Sequence, residues 1–422
     1  MKRSIKIAVA AAVALSATSA FATNGDHLIG MGAKARGMGG IGIGMSHGAE
    51  SALANPALIG TVKGTEISFG GTVFMPDVKT TFGMQGDSDA DLSVIPEVAI
   101  AQKATNNFYW GVGMFGVAGM GTDYRGTGAN MDMVTNLQLM QFAVPLAYKD
   151  ESGISVGIAP VLQYGSLDIN YDASAFATAI NNAVVGMGGA NPGLTGQSPT
   201  QGVAQDFGIG YNVGIAYENS GLTLGASYKS AIDMEYSGQI SAATQHFHDM
   251  FAALGATTAV LSDHLEQPAE IGVGASYTMG NHTIAVDYKK IKWSDAKGYK
   301  DFKWEDQNVY IVGYQYAEDN WALRAGYNHG SNPIKEQNGN TPQGTIDNMF
   351  NLIGFPATVE DHYTVGGTYA FSKMTSFDLA YTYAPEVSDT YSTAMLGMLS
   401  FPTSVTTKHS QQGITAQVNF NF

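Results

Sequence analysis

Five short patterns and one lone charge in this chain have residue types and spacing that could do chemistry. Gly37-Met38-Gly39-Gly40-Ile41-Gly42 and Gly111-Val112-Gly113-Met114-Phe115-Gly116 both satisfy G-x-G-x-x-G, the turn that cradles a dinucleotide pyrophosphate at a helix N-terminus. That chemistry requires a strand before the glycines and a helix after them, and neither copy opens a helix in such a unit. Gly44-Met45-Ser46-His47-Gly48 satisfies G-x-S-x-G, but a serine nucleophile needs the same strand-to-helix turn. Glycines so dense are better explained by close backbone packing. His246-Phe247-His248-Asp249 offers metal donors without further ligands nearby. Asp87, Asp89 and Asp91 imitate the start of a calcium loop but lack its glycine and distal glutamate, and read as solvated acids. No catalytic set, cofactor site or metal site is expected. The lone charge is Arg324, inside an apolar alternation. Facing a lumen, its guanidinium either clamps a ligand carboxylate bidentately or pairs with a nearby acid, and structural pairing is the preferred reading.

The elements that must position these residues follow from composition. The chain has 422 residues, 52 of them Gly, with 14% charged residues, no Cys and a net charge of -15. Soluble domains carry about 25% charged residues, yet the mean hydropathy of -0.03 is not strongly apolar. A wall with one lipid face and one wet face reconciles the two. The acidic balance argues against nucleic acid, which needs a basic patch, and the missing cysteines remove disulfides and thiolate metal sites.

Lys2, Arg3 and Lys6 precede an apolar run, Ile7 to Leu15, and Ala20-Phe21-Ala22 closes it. This is the form of a secretory signal peptide, 1–22, with Thr23 as the expected mature N-terminus. After it no apolar run is long enough for a spanning helix.

From Gly64 onward the period is two. Ile414, Ala416, Val418, Phe420 and Phe422 alternate with Thr415, Gln417, Asn419 and Asn421; Trp321, Leu323, Ala325 and Tyr327 alternate with Ala322, Arg324, Gly326 and Asn328. Strands are expected near 64–75, 91–103, 106–119, 134–149, 152–171, 205–219, 221–235, 264–279, 281–295, 302–317, 319–333, 358–372, 374–388 and 410–422. Tight turns alternate with long links, the pattern of an outer-membrane barrel, and tyrosines recur at strand ends as at a lipid–water boundary. The expected fold is therefore all-β, a 14-stranded antiparallel transmembrane barrel spanning 64–422, in the outer membrane and in contact with its lipid and lipopolysaccharide.

A closed sheet of this size leaves a lumen. The Gly-rich residues 23–63 are the long non-strand piece available to fill it, which makes them an expected plug. Three links also carry apolar periodicity: Phe176, Ile180 and Val184; Phe247, Met250, Phe251 and Leu254; and Asp347 to Pro356. These read as short amphipathic helices that form a cap, a groove for apolar ligands, or both.

Gly32-Ala33-Lys34-Ala35-Arg36-Gly37-Met38-Gly39-Gly40, Asn55-Pro56-Ala57-Leu58, Trp293-Ser294-Asp295, Asn320 to Tyr327 and Glu360 to Gly366 together resemble the FadL-type long-chain fatty acid and hydrocarbon transporters of Gram-negative outer membranes. Phe422 is similar to the C-terminal signal read by the barrel insertion machinery. The resemblance implies a monomeric 14-stranded barrel with an N-terminal hatch in which Gly37, Gly39, Gly40, Asn55, Pro56 and Ala57 serve the gate. It implies loop capture of a hydrophobic small molecule, an internal apolar pocket, hatch movement, and sideways exit at a kink in the third strand, where Gly111, Gly113, Gly116 and Gly119 crowd. Long-chain fatty acids are the first expected ligand, aromatic or alkane hydrocarbons the alternative, and a general diffusion porin or a surface adhesin weaker ones.

Overall fold

In the computed structural model, which describes residues 23–198 and 202–422, the alternating segments form one closed antiparallel wall. The signal-peptide segment 1–22 lies outside the described residues. The fourteen wall strands are β1 Thr65–Phe82, β2 Ser93–Lys103, β3 Phe108–Asp123, β4 (Val134–Ala143 and Leu146–Lys149), β5 Ile154–Asn170, β6 Ala204–Asn219 and β7 Leu222–Lys229. They continue as β8 Glu270–Met279, β9 His282–Ile291, β10 Gln307–Ala317, β11 Trp321–Gly330, β12 Asp361–Ser372, β13 Thr375–Ser392 and β14 Ser404–Asn421. Each pairs with its neighbour, and β14 closes on β1 from Thr406↔Thr81 to Asn421↔Glu66. Closure leaves no free edge there, as a wall in lipid requires.

The dyad sorts side chains as lipid and lumen demand. Ile414 and Phe420 are exposed on the outer face while Thr415, Gln417 and Asn419 are buried inside. Leu323 and Tyr369 face outward, and Arg324 and Asp378 inward. Pro145 breaks β4 in two, since it has no N–H to donate; its carbonyl accepts the Gly111 N–H instead.

The strand boundaries depart from expectation in two informative places. β1, β13 and β14 extend well beyond 75, 388 and 410 toward the long-loop end. β7 stops at Lys229 and β8 starts at Glu270, because 230–236 and 264–269 leave the wall and meet through the bridges Ile232↔Gln267 and Glu235↔His264, with the His264 ring 2.9 Å from the Asp233 carboxylate.

At the long-loop end lie helices α2 Ser174–Gly186, α3 Ile240–Ala253 and α4 Pro342–Met349, the last continued by a π turn, Phe350–Gly354. Their apolar faces meet one another. Phe176 stacks on Phe401 at 4.1 Å, and Phe247 meets Phe350 edge-on at 5.5 Å.

Residues 23–64 run inside the wall. They comprise two-residue strands at Thr23–Asn24 and His27–Leu28, helix α1 Gly32–Arg36 and 3₁₀ turns at Gly48–Ala52 and Pro56–Thr61. Glycine permits this seating at specific points. Gly39 has φ 74° and lies against the Tyr327 backbone, and Gly37 approaches Gly366 so closely that a side chain on either would strike the other's main chain.

Candidate functional site

From the long-loop end inward, the chain builds a sequence of apolar and then charged compartments. Outermost is an open groove of about 270 Å³ between loops, lined on its apolar part by Phe82, Met84, Met131, Phe176, Phe401 and Pro402 and elsewhere by Asn130, Asp132, Asp172 and Ser174. Below it the 292–306 link folds inward and clusters Trp293, Tyr299 and Trp304 in tilted and edge-on contacts, with ring centroids 4.6–5.0 Å apart. Next to them is a cavity of about 20 Å³ whose lining includes Met120, Leu167, Ile240, Leu265, Phe302 and Phe355 and no charged side chain. Its polar groups already have partners: Trp304 Nε1 donates to Asn351 Oδ1 at 2.9 Å, and the Tyr299 hydroxyl donates to the Asp26 carboxylate.

Past this chamber the walls become ionic. The Glu270 carboxylate lies 3.3 Å from Lys229 Nζ, 3.4 Å from Lys289 Nζ and 2.9 Å from His27 Nδ1. Two ammonium groups thus share one buried wall carboxylate. Asp287, next in phase on β9, is engaged elsewhere, accepting the N–H groups of Gly42, Ile43 and Gly44 at 2.8, 2.8 and 2.9 Å. A cavity of about 40 Å³ borders both lysines among Leu28, Ile29, Met31, Ile41 and Ile43, with His47 and Glu50 also in its lining, and one of about 30 Å³ borders Lys229 and reaches Val117 and Ile232.

Val117 is the bulged residue of β3. The β3–β4 register shifts between Gly116 and Ala118, and β2 pairs with β3 only as far as Glu97↔Phe115. Pro96 follows on β2 with no N–H to continue the ladder. Above that point β3 turns to the N-terminal segment: His27 pairs with Ala118, and Gly119 N donates to Asp26 O at 3.1 Å. Of the other glycines in this strand, Gly113 makes room for the Phe115 ring and Gly116 for Ile95.

At the short-turn end the N-terminal segment is tied to the wall by ions. Arg36 pairs with Glu97 and reaches Thr72 and Thr415; Lys34 lies 3.4 Å from Glu50 and 3.8 Å from Asp378. Arg324 is buried and held by Gln315 and Thr368 at 2.7 Å each, with Asp378 at 3.8 Å. Its donors therefore meet wall residues. Asn55 caps the turn that follows it, accepting Ala57 N at 3.1 Å and donating to Ile43 O and Ile215 O. Pro56 and Ala57 rest against Gly157, where a side chain would collide with their backbone.

Phe176, Ile180, Phe247, Met250 and Phe251 are buried among the loop helices, with Val184 and Leu254 half-buried. The open groove borrows only Phe176 from that set. Within the cap, burial pushes the Asp347 carboxyl up to about 6 against a hydrogen bond from Gln343 that lowers it. A carboxyl raised above its unfolded value holds its proton in the native state after the unfolded chain has lost it, so stability falls as pH rises from about 4 to 6. Asp347→Asn is expected to remove that slope, read as hydrogen exchange of 342–354 at pH 4.5 and 7.5.

Lys229, Lys289, Glu270 and Asp287 were not singled out in the sequence, although their signal is there. Each is an ionisable residue on the inward phase of a strand whose other phase carries Tyr228, Ile271, Val286 or Tyr288, and such residues inside a membrane wall mark function or pairing.

A closed β-wall with an occupied lumen, a loop-end groove and an apolar inner chamber defines a membrane-spanning channel for hydrophobic molecules. The family model "Outer membrane protein transport protein (OMPP1/FadL/TodX)" matches residues 7–422, so the chain belongs to that family of outer-membrane transporters of hydrophobic compounds. It is 24% identical over 376 residues to the 47 kDa outer membrane protein of Pasteurella multocida, covering 83% of this chain and 86% of that one. In fold it is similar to a Pseudomonas aeruginosa FadL homologue (TM-score 0.68, 16% identity, covering 94% and 100% of the two chains). It is likewise similar to the Pseudomonas putida toluene transporter TodX (TM-score 0.65, 19% identity, 93% and 99%).

Proposed function

We propose that this barrel takes up amphipathic hydrophobic molecules with an acidic head, long-chain fatty acids being the class that fits best. The observation that carries the reading is the pair Lys229 and Lys289 meeting at the wall acid Glu270, beside a cavity that joins Leu28, Ile29, Met31, Ile41 and Ile43 to the polar His47 and Glu50. A carboxylate entering there relieves the repulsion of two ammonium groups that one acid only partly offsets. The chain of the ligand meets the aromatic chamber, where each buried methylene contributes about 0.8 kcal/mol. The chamber is only about 20 Å³ as it stands, so the acyl chain enters by parting the side chains around it, and about ten methylenes buried along the opened path would supply roughly 8 kcal/mol before that opening and the ordering costs.

In this reading the loop groove collects ligand, the chamber and lysines hold it, and movement of residues 23–63 lets it leave through the wall where β3 departs from β2. Release into lipid spares the chain a return to water. A monomer suffices, because one barrel contains every compartment.

A second reading, uptake of neutral aromatic hydrocarbons, is favoured by the chamber itself, since no charged side chain lines it. TodX, similar in fold, is described as a toluene transporter. Equilibrium binding to the purified barrel separates the two. Hexadecanoic acid should displace a fluorescent fatty acid about tenfold better than hexadecane or toluene; equal or inverted potency would give the ligand class to the hydrocarbons.

A further inference from the structure

We propose a second lateral port in the barrel wall, between β6 and the point where β7 leaves it, through which a carboxylate-bearing acyl chain passes between the lysine cavity and the outer leaflet. The proposal rests on the carboxylate reading above for its ligand, and on separate geometry for its place.

β7 pairs with β6 from Leu222↔Asn219 to Lys229↔Asn212. Ser230 N then donates to Tyr211 O at 2.9 Å, and Tyr211 N donates to the Ser230 hydroxyl at 2.9 Å. Beyond that contact the chain bends into the lumen. Ile232 and Met234 pass behind Gly208 and Gly210, where a side chain on either glycine would collide with them, and the segment pairs instead with 264–267. In an antiparallel ladder alternate residues hydrogen-bond to alternate sides. Tyr211 faces β7, so Ile209, Phe207 and Gln205 face the side that β7 has vacated. Among the described residues no backbone hydrogen bond reaches those three from that side; the nearest tie is Glu235 N to the Asp206 side chain at 2.8 Å.

An open edge is not tolerated in hydrocarbon, so this break belongs where headgroups and water begin. Strand rise and tilt place Lys229 roughly 20 Å from the turn at 220–221 and Phe115 a similar roughly 20 Å from the turn at 104–107. The two breaks in the wall therefore open at one height.

They also border one cavity. Val117 of the β3 kink and Asn212, Lys229, Ser230 and Ile232 of the β6–β7 break line the same space, with Glu270 also in its lining. On the outer side the β6 break is flanked by Phe207, 63% exposed, and by Ile209, at 81% the most exposed large apolar side chain among the described residues. A lipid-facing belt alone accounts for apolar side chains on this face. It does not account for a backbone edge open beside them, or for an ammonium group at the inner mouth of the opening.

The chain has no cysteine, so each break can be bridged by an engineered disulfide in the full-length protein. Gly210→Cys with Ile232→Cys closes the β6–β7 break, and Gly116→Cys with Ile95→Cys closes the β3 break; in each pair the glycine's missing side chain points at the isoleucine. Uptake of radiolabelled hexadecanoic acid by cells is measured oxidised and reduced. Each bridge alone should slow uptake about two- to threefold and both together more than tenfold, with recovery on reduction. Full loss from the β3 bridge alone, with no effect from the 210–232 bridge, would overturn the port. A benzophenone side chain at Ile209 covers the case in which a bridge prevents folding. Its adduct with hexadecanoic acid should exceed at least fivefold that of the same group at Val365, which faces lipid on an unbroken stretch of wall. Equal labelling overturns the port. The purified wild-type barrel is assayed alongside for its acid-over-alkane preference. Loss of that preference counts against the carboxylate reading, whereas a retained preference with no effect at the β6 break counts against the port alone.

Discussion

Deleting Asn24 to Gly60 should convert a barrel that is nearly closed to ions into an open pore. The wall encloses a lumen too wide for wall side chains alone to fill, being intermediate between packed eight-stranded barrels and open sixteen-stranded ones. Residues 23–64 occupy that space in this structure. Met38, Ile41, Leu53, Leu58 and Ile59 are fully buried there, and Arg36, Lys34 and the Gly42–Gly44 amides spend their hydrogen bonds on Glu97, Glu50 and Asp287. Wall strands pair with one another independently of this segment, apart from the small contact at Ala118, so the shortened barrel should still insert and close. Single-channel conductance in planar bilayers should rise roughly tenfold or more over the intact protein. Unchanged conductance in a folded deletion variant would mean that the loop cap, and not the N-terminal segment, seals the channel.

The second large effect concerns the lysines. Lys229→Met and Lys289→Met each keep an unbranched side chain of similar reach while removing one of the two charges shared by Glu270. Two unit charges about 4 Å apart interact by about 4 kcal/mol at an effective dielectric near 20, and relaxation and residual water take back part of that. Binding of a long-chain acid should therefore weaken about 10–100-fold, or about 1.4–2.7 kcal/mol, while binding of the alcohol of equal length changes less than about twofold. Glu270→Gln reverses the sign: it frees both ammonium groups, and acid binding should tighten. A parallel fall for acid and alcohol would indicate that the lysines only support the wall.

The wall could be read from the sequence with little loss, because a period of two over fourteen segments is imposed by lipid on one side and by the lumen on the other. Trp321, Leu323 and Tyr327 against Arg324 and Asn328 need no tertiary information to sort. Its irregularities were harder to see. Nothing in Leu222 to Glu235 announces that β7 leaves the wall at Lys229, since the departure is fixed by the room Gly208 and Gly210 leave behind β6 and by distant partners at 264–267. The crowding of glycine in β3 was visible, but the bulge at Val117 depends on the hydrogen bonds that Asp26 and His27 offer from another part of the chain. The loop helices were legible as amphipathic faces. That their apolar stripes pack on one another, leaving the open groove to Phe82, Met131 and Phe401, follows from loop lengths and contacts that no local pattern encodes. The lysine cluster was missed because its members come from β7, β8 and β9 and become a site only when register aligns Lys229 with Glu270 and Glu270 with Ile291 on one inward face.

The position of a bound acid tests the central claim most directly. A structure of the intact barrel with a long-chain fatty acid bearing a terminal bromine should place the carboxylate within hydrogen-bond reach of Lys229 or Lys289 and the bromine toward Trp293, Tyr299 and Trp304. An acid found only in the outer loop groove, or lying in the lumen with its head away from both lysines, would contradict it.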